Sequence, residues 1–139
     1  TESAEIRQTK TEEELKKAAE QILQERGNEA PAEEDTKQIL LQKVVIQEED
    51  VSKYTNDLFM LSVDTGICIC TINTGSLYYD HYVINMNDES KLAFELLLAS
   101  FVRTVDEAAP EKRPGYKKLM SEWNYKLNTY LSKFLGIDD

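Results

Sequence analysis

Two cysteines, one histidine and a few clustered charges are the side chains of this sequence with chemistry to offer. Cys68 and Cys70 stand two apart in the run ICICTI. On a strand that spacing puts both on one face, with parallel Cβ vectors badly placed for a mutual disulfide. A zinc site needs three or four Cys or His ligands, and His81 is the sole histidine. No metal or other cofactor is therefore expected, and the cysteines read as small buried residues in a reducing compartment. His81 lies between Asp80 and Tyr82. In the strand expected there, neighbours point to opposite faces, so Asp80 and His81 form no acid–base dyad. Lys112, Arg113, Lys117 and Lys118 gather at the start of the last expected helix, where an anion could be held at a helix N-terminus. Beside Glu107 and Glu111 they read instead as a solvated, self-neutralising end. The chain has no G-x-S-x-G elbow, phosphate-binding loop or G-x-G-x-x-G run.

One triplet has a family behind it. Asp64-Thr65-Gly66 follows an apolar strand and resembles the Asp-Thr-Gly motif of aspartic proteases. In that family two such aspartates share a proton and activate water. Phe134-Leu135-Gly136-Ile137-Asp138 resembles the family's second hydrophobic-Gly-x-Asp motif. Ile67 follows the first glycine where the family carries Ser or Ala. The second motif ends an amphipathic helix rather than lying on a strand. Two long helices occupy what should be nearly all β chain. The triplet is therefore read as a turn, with a dimeric protease kept as an alternative.

The elements that position these residues follow from periodicity and punctuation. Residues 11–26, TEEELKKAAEQILQER, have capping-box spacing at Thr11 and Glu14, a thin apolar stripe, and stop signals at Gly27 and Asn28. They read as an acidic helix, followed by a polar linker over 28–36. Residues 38–46 read as a strand ending in Val44-Val45-Ile46, or as a short helix. Residues 57–63, 67–72 and 76–86 read as a three-stranded meander, with Gly66 and Gly75 supplying positive φ in the two short loops. Asn87 or Asp88 can cap a helix to about Ala109, and a second helix runs from about Tyr116 to Leu135, stopped by Gly136. Its apolar residues recur at three- and four-residue steps from Tyr116 to Phe134.

The predicted fold is α+β: a three- or four-stranded antiparallel sheet packed by a C-terminal antiparallel helical hairpin, preceded by an acidic N-terminal helix. Residues 1–35 form the loosely attached acidic segment and residues 36–139 a single domain. Such a mixture is loosely similar to small acidic dimeric secretion chaperones, but the two strands expected before their final helix are missing.

Net charge is −10, from 16 bases and 26 acids. Residues 1–35 hold 11 acids and 5 bases, so most of the acidity is N-terminal. That argues against direct nucleic-acid binding through a basic footprint. A nucleic-acid mimic needs acids aligned on a folded face, which this distribution does not favour; it stands as another alternative. No apolar run reaches the roughly 20 residues that span a bilayer, and residues 1–17 lack an apolar signal core, so a cytoplasmic protein with no membrane association is expected. Missing catalytic signals point to a non-catalytic binding module: an adaptor, inhibitor or chaperone-like protein. The strands do not alternate apolar with polar, so both sheet faces need cover. Another protein, or a second copy in a homodimer, is expected to supply part of it. Tyr78, Tyr82, Ile84 and Met86, on one face of the expected third strand, are the candidate partner-binding residues.

Overall fold

The computed structural model describes residues 44–137 and, ahead of them, Lys17. Apart from Lys17, the acidic helix expected over 11–26, its linker and the start of the segment 38–46 lie outside the described residues. Within them the fold is α+β, with a mixed three-stranded sheet and three helices. The strands are β1 (Val44–Glu49), β2 (Phe59–Asp64) and β3 (Ile67–Asn73). The helices are α1 (Leu77–His81), α2 (Asp88–Asp106) and α3 (Arg113–Phe134), and a 3-10 turn, Val83–Asn85, joins α1 to α2.

Sheet order is β1-β3-β2. β2 and β3 pair antiparallel through the Asp64-Thr65-Gly66-Ile67 turn. Thr65 and Gly66 have φ of 49° and 83°, the two positive values that a primed hairpin turn requires. β1 pairs with β3 in parallel, Val44 opposite Cys68 through Glu49 opposite Asn73. The sheet is therefore not the all-antiparallel meander expected. The run 76–86 is not its third strand; β1 takes the free side of β3 instead. Aromatic and β-branched residues in 76–86 resemble a strand in composition, but Ser76 caps a helix there, its Oγ accepting from the Tyr79 amide. Buried Tyr79 and Val83 are one helical turn apart, as are Tyr78 and Tyr82, whose tilted rings are in contact.

All seven residues of β3 are buried. The register sets Val44, Ile46, Cys68, Cys70, Ile72, Phe59 and Leu61 on one face. This face packs on Phe94, Leu98, Ala99, Val102 and Val105 of α2 and on Met120 of α3. Apart from Ala99, each of these helix side chains taken fully from water contributes about 1.5–3 kcal/mol. On the opposite face Val45 and Ile69 are also buried, and Gln47 Nε2 donates to Thr71 Oγ1 across the pair at 2.8 Å. The central strand is thus buried on both faces.

β1 and β2 lie on opposite edges, so residues 50–58 must cross the C-terminal end of β3. Asn73, fully buried there, holds the crossing. Its Oδ1 accepts from the amides of Val51 (3.1 Å) and Gly75 (3.0 Å), and its Nδ2 donates to the carbonyls of Thr55 (3.1 Å) and Asp57 (3.0 Å). Gly75 does not have the positive φ expected of it. A Cβ there would run into Asp50 Oδ1 and lie 2.8 Å from the Ser52 Cβ, so the requirement is space.

Helix ends follow their sequence signals. Asn87 Oδ1 accepts from the Ser90 amide at 2.8 Å, and Asp88 and Glu89 occupy the positive end of α2. Gly136, at φ 71°, closes α3 in a Schellman arrangement, with Ile137 N donating to Ser132 O (2.8 Å) and Gly136 N to Lys133 O (3.2 Å).

Candidate functional site

The residues with chemistry to offer do not converge. Cys68 and Cys70 are wholly buried. Burial, together with Cys68 and Glu95 nearby, pushes the Cys70 thiol up to about 12, so it is not a thiolate at neutral pH. Asp64 ends β2 at the hairpin turn, while Phe134-Leu135-Gly136 terminates α3; the two protease-like motifs sit in a turn and a helix cap. His81 is exposed in the last turn of α1, next to Asp80 along a helix rather than a strand. Among the described residues no group of three or more His, Cys, Asp or Glu is placed to hold a metal ion. None of their helices is long and apolar enough to cross a membrane.

The basic cluster at the start of α3 divides. Arg113 turns inward, buried, and its Nη2 donates to the Ala108 carbonyl at 2.7 Å, tying α3 to the connection after α2. Lys112, Lys117 and Lys118 remain in solvent. Behind the connection, buried Asp106 accepts from Arg103 Nη1 at 2.7 Å, while Arg103 Nη2 reaches Glu107 at 3.0 Å.

The four candidate partner-binding residues sit on α1 and the turns after it, not on a sheet face. Tyr78 stacks on Phe94 of α2 at 6.0 Å between centroids and contacts Tyr82 at 5.2 Å. Tyr78 and Met86 pack against the core, Tyr82 is half-buried, and Ile84 alone of the four is exposed. Nearby, the Tyr79 hydroxyl donates to Glu48 Oε2 at 2.9 Å, and Lys91 Nζ lies 2.8 Å from the same oxygen. Burial and the Glu48 carboxylate raise the Tyr79 pKa. Burial pulls Lys91 down, but its hydrogen bond to Glu48 and the surrounding negative charge leave it raised. This trio links β1 to α1 and α2.

The largest departure from a closed core is on α3. Arg113, Met120, Asn124 and Leu131 form its buried side. Immediately beside that side, at helical spacing, Tyr116, Leu119, Trp123, Tyr130 and Phe134 are exposed. Leu119 is 57%, Trp123 40%, Tyr130 64% and Phe134 81% exposed. Trp123 is anchored from below by Phe59 (5.5 Å, edge-on) and by Phe101 of α2 (5.9 Å, edge-on). Leu97, one turn before Phe101, is also exposed, so the apolar surface extends onto α2. The 3.6-residue periodicity of this stripe is plain in the sequence, but periodicity does not say which part of an apolar stripe the core leaves uncovered.

Asn124 carries no sequence signal at all. Its Oδ1 accepts from the amides of Leu58 (2.9 Å) and Phe59 (3.4 Å), and its Nδ2 donates to the carbonyls of Phe59 (3.4 Å) and Met120 (3.0 Å). Leu58 O faces β3, accepting from Asn73 N at 2.8 Å. The next residue, Phe59, therefore turns its N–H and C=O to the outer edge of β2. The Asn124 amide meets both groups there, as a neighbouring strand would, and so fixes the height of α3 and the position of Trp123 over the sheet.

Compared with known proteins, the chain matches no family model, and no curated protein or solved structure is significantly similar to it.

Proposed function

We propose that this chain is a non-catalytic protein-binding module, an adaptor, inhibitor or chaperone-like protein. Its partner is engaged through the apolar stripe of α3 rather than through a sheet face. The observation behind this reading is that Leu119, Trp123, Tyr130 and Phe134 stand in solvent along one side of a 22-residue helix whose adjacent side is built into the core. Contiguous apolar surface on a folded domain marks an interaction site. Trp and Tyr are the residues that most often anchor such sites, because they offer a large rigid area and a polar tip. Each side chain moved from water into a partner contributes about 1.5–3 kcal/mol, before the entropy of association is subtracted. The half-buried Trp123, held by Phe59 and Phe101, is preorganised in a way that free surface side chains are not.

The test compares the native chain with a Leu119→Asp/Phe134→Asp variant, both side chains being remote from the core. Circular dichroism establishes that the variant folds. Affinity capture from the native cell and sedimentation velocity then read association with other proteins and with itself. The reading expects at least one stoichiometric association, lost in the variant. Identical capture and sedimentation profiles for the two proteins would overturn it.

A further inference from the structure

The charge around this stripe identifies the kind of partner it fits. α3 carries five bases, Arg113, Lys117, Lys118, Lys126 and Lys133, against one acid, Glu122, giving +4 in a chain of net −10. Arg113 is internal, but the lysines are exposed. No ion pair within the described residues engages Lys112, Lys126 or Lys133. These three border the apolar residues. Lys126 lies three residues after Trp123 and four before Tyr130, Lys133 three after Tyr130, and Lys112 four before Tyr116. On a helix those spacings place each ammonium alongside its apolar neighbour.

We propose that the occupant of this surface is an acidic amphipathic helix of a partner protein, its apolar face on Leu119, Trp123, Tyr130 and Phe134 and its carboxylates against Lys112, Lys126 and Lys133. This rests on the binding-module reading above and gives it a chemistry. From Tyr116 to Phe134 the stripe is about 27 Å long at 1.5 Å per residue, which suits a partner helix of about five turns. A second copy of α3 fits poorly. An antiparallel pairing sets the Lys126–Lys133 border of one helix against the same border of the other, and each chain brings −10 of its own. An anionic bilayer would attract the lysines, but the rest of the chain carries −14 and opposes a negatively charged plane. A separate helix can approach the basic border while keeping clear of that remainder.

Trp123 is the only tryptophan and lies within the stripe, so its emission reports directly on occupancy. The full chain is titrated with an 18-residue helical peptide carrying Leu at three- and four-residue steps and Glu on both flanks. A matched peptide with Lys in place of every Glu is titrated in parallel. The expected result is a saturable blue shift with the Glu peptide, weakened roughly tenfold or more by the Lys peptide's charge, by Lys126→Glu/Lys133→Glu, and by 0.5 M salt. The charge-reversed variant should in turn prefer the Lys peptide. Equal binding of both peptides, abolished by Leu119→Asp/Phe134→Asp, would overturn the acidic partner and leave the apolar binding surface standing. Binding of neither peptide overturns the acidic helix, as does a response only to phosphatidylserine vesicles. Tighter binding of a peptide with the sequence of residues 11–26 would reassign the surface to a segment of this chain, which also overturns a foreign partner.

Discussion

Replacing Asn124 by alanine tests the claim that one side-chain amide stands in for a strand at the edge of β2. The residue is 1% exposed and makes four hydrogen bonds, two received from and one given to the backbone of Leu58 and Phe59, and one given to Met120. Alanine removes them all. Leu58 and Phe59 are buried, so their amides are left without the acceptor they had. An orphaned buried donor costs about 1–3 kcal/mol, whereas a hydrogen bond to a group that water can reach instead costs about 1 kcal/mol. The two 3.4 Å contacts are long and count for less than the 2.9 Å bond to Leu58. Two orphaned amides, discounted for one weak bond, give a loss of about 2–4 kcal/mol. At about 3–5 °C per kcal/mol, between the values for 100- and 150-residue domains, the melting temperature falls by about 6–20 °C. Urea unfolding followed by far-ultraviolet circular dichroism measures it, with Trp123 emission as a second probe. Asn124→Asp sharpens the test. It keeps the acceptor for Leu58 and loses the donor, and it buries a carboxylate, whose folded-state pKa is raised. That variant is least stable at neutral pH and recovers as the pH falls and the carboxyl is protonated. A loss below about 0.5 kcal/mol for Asn124→Ala would refute the edge-pairing argument, because it would mean that water satisfies the same groups at no cost.

Other outcomes follow from the same geometry. Gly75→Ala drives a Cβ into Asp50 and Ser52 and should destabilise by about 1–3 kcal/mol; Asp50→Ala in the same chain should recover part of that loss in a double-mutant cycle. With the Cys70 thiol raised to about 12 and both cysteines buried, neither should react with a thiol reagent at pH 8 until urea unfolds the chain. The Tyr79 and Lys91 pKa values are both raised by folding, so the stability they contribute is complete below about pH 10 and is lost as the pH climbs through their folded values. Both groups are partly exposed, so the slope should amount to about 1 kcal/mol or less, and Tyr79→Phe should flatten it.

Turns and caps that are specified by their own residues are legible in the sequence. Gly66 with Asp64 and Thr65 marks the β2–β3 turn, Asn87 marks the start of α2 and Gly136 the end of α3, because caps and turns are specified by the residues that form them. The pairing of β1 with β3 is not local. Val44 and Cys68 are 24 residues apart, and nothing in either segment announces a parallel neighbour. The run from Ser76 to Met86 reads as a strand because Tyr78, Tyr79, Tyr82, Val83 and Ile84 are strand-forming types, whereas the chain is helical there. The helical signal lies in the four-residue spacing of Tyr79 with Val83 and in Ser76 as a cap. A strand there would put Tyr78, Tyr82, Ile84 and Met86 on a sheet face; the helix and turns do not. Asn73 and Asn124 were invisible for another reason: an asparagine in a turn or on a helix is ordinary, and only the fold reveals four backbone groups converging on it.

The crossing of residues 50–58 over the end of β3 orders events in time. The β2–β3 hairpin closes a two-residue turn and can form in microseconds. Pairing β1 with β3 closes a longer loop, the one held over Asn73, so β1 is expected to dock after the hairpin. The reverse journey starts from the same place. β1 can peel away without disturbing the β2–β3 hairpin, so its amides should exchange with solvent through a partial opening cheaper than global unfolding, while those of β3 facing β2 wait for the whole domain to come apart. Glu48 leaves with β1 and releases Lys91 and the Tyr79 hydroxyl together, which makes the tyrosine's ultraviolet absorbance a clock for that opening.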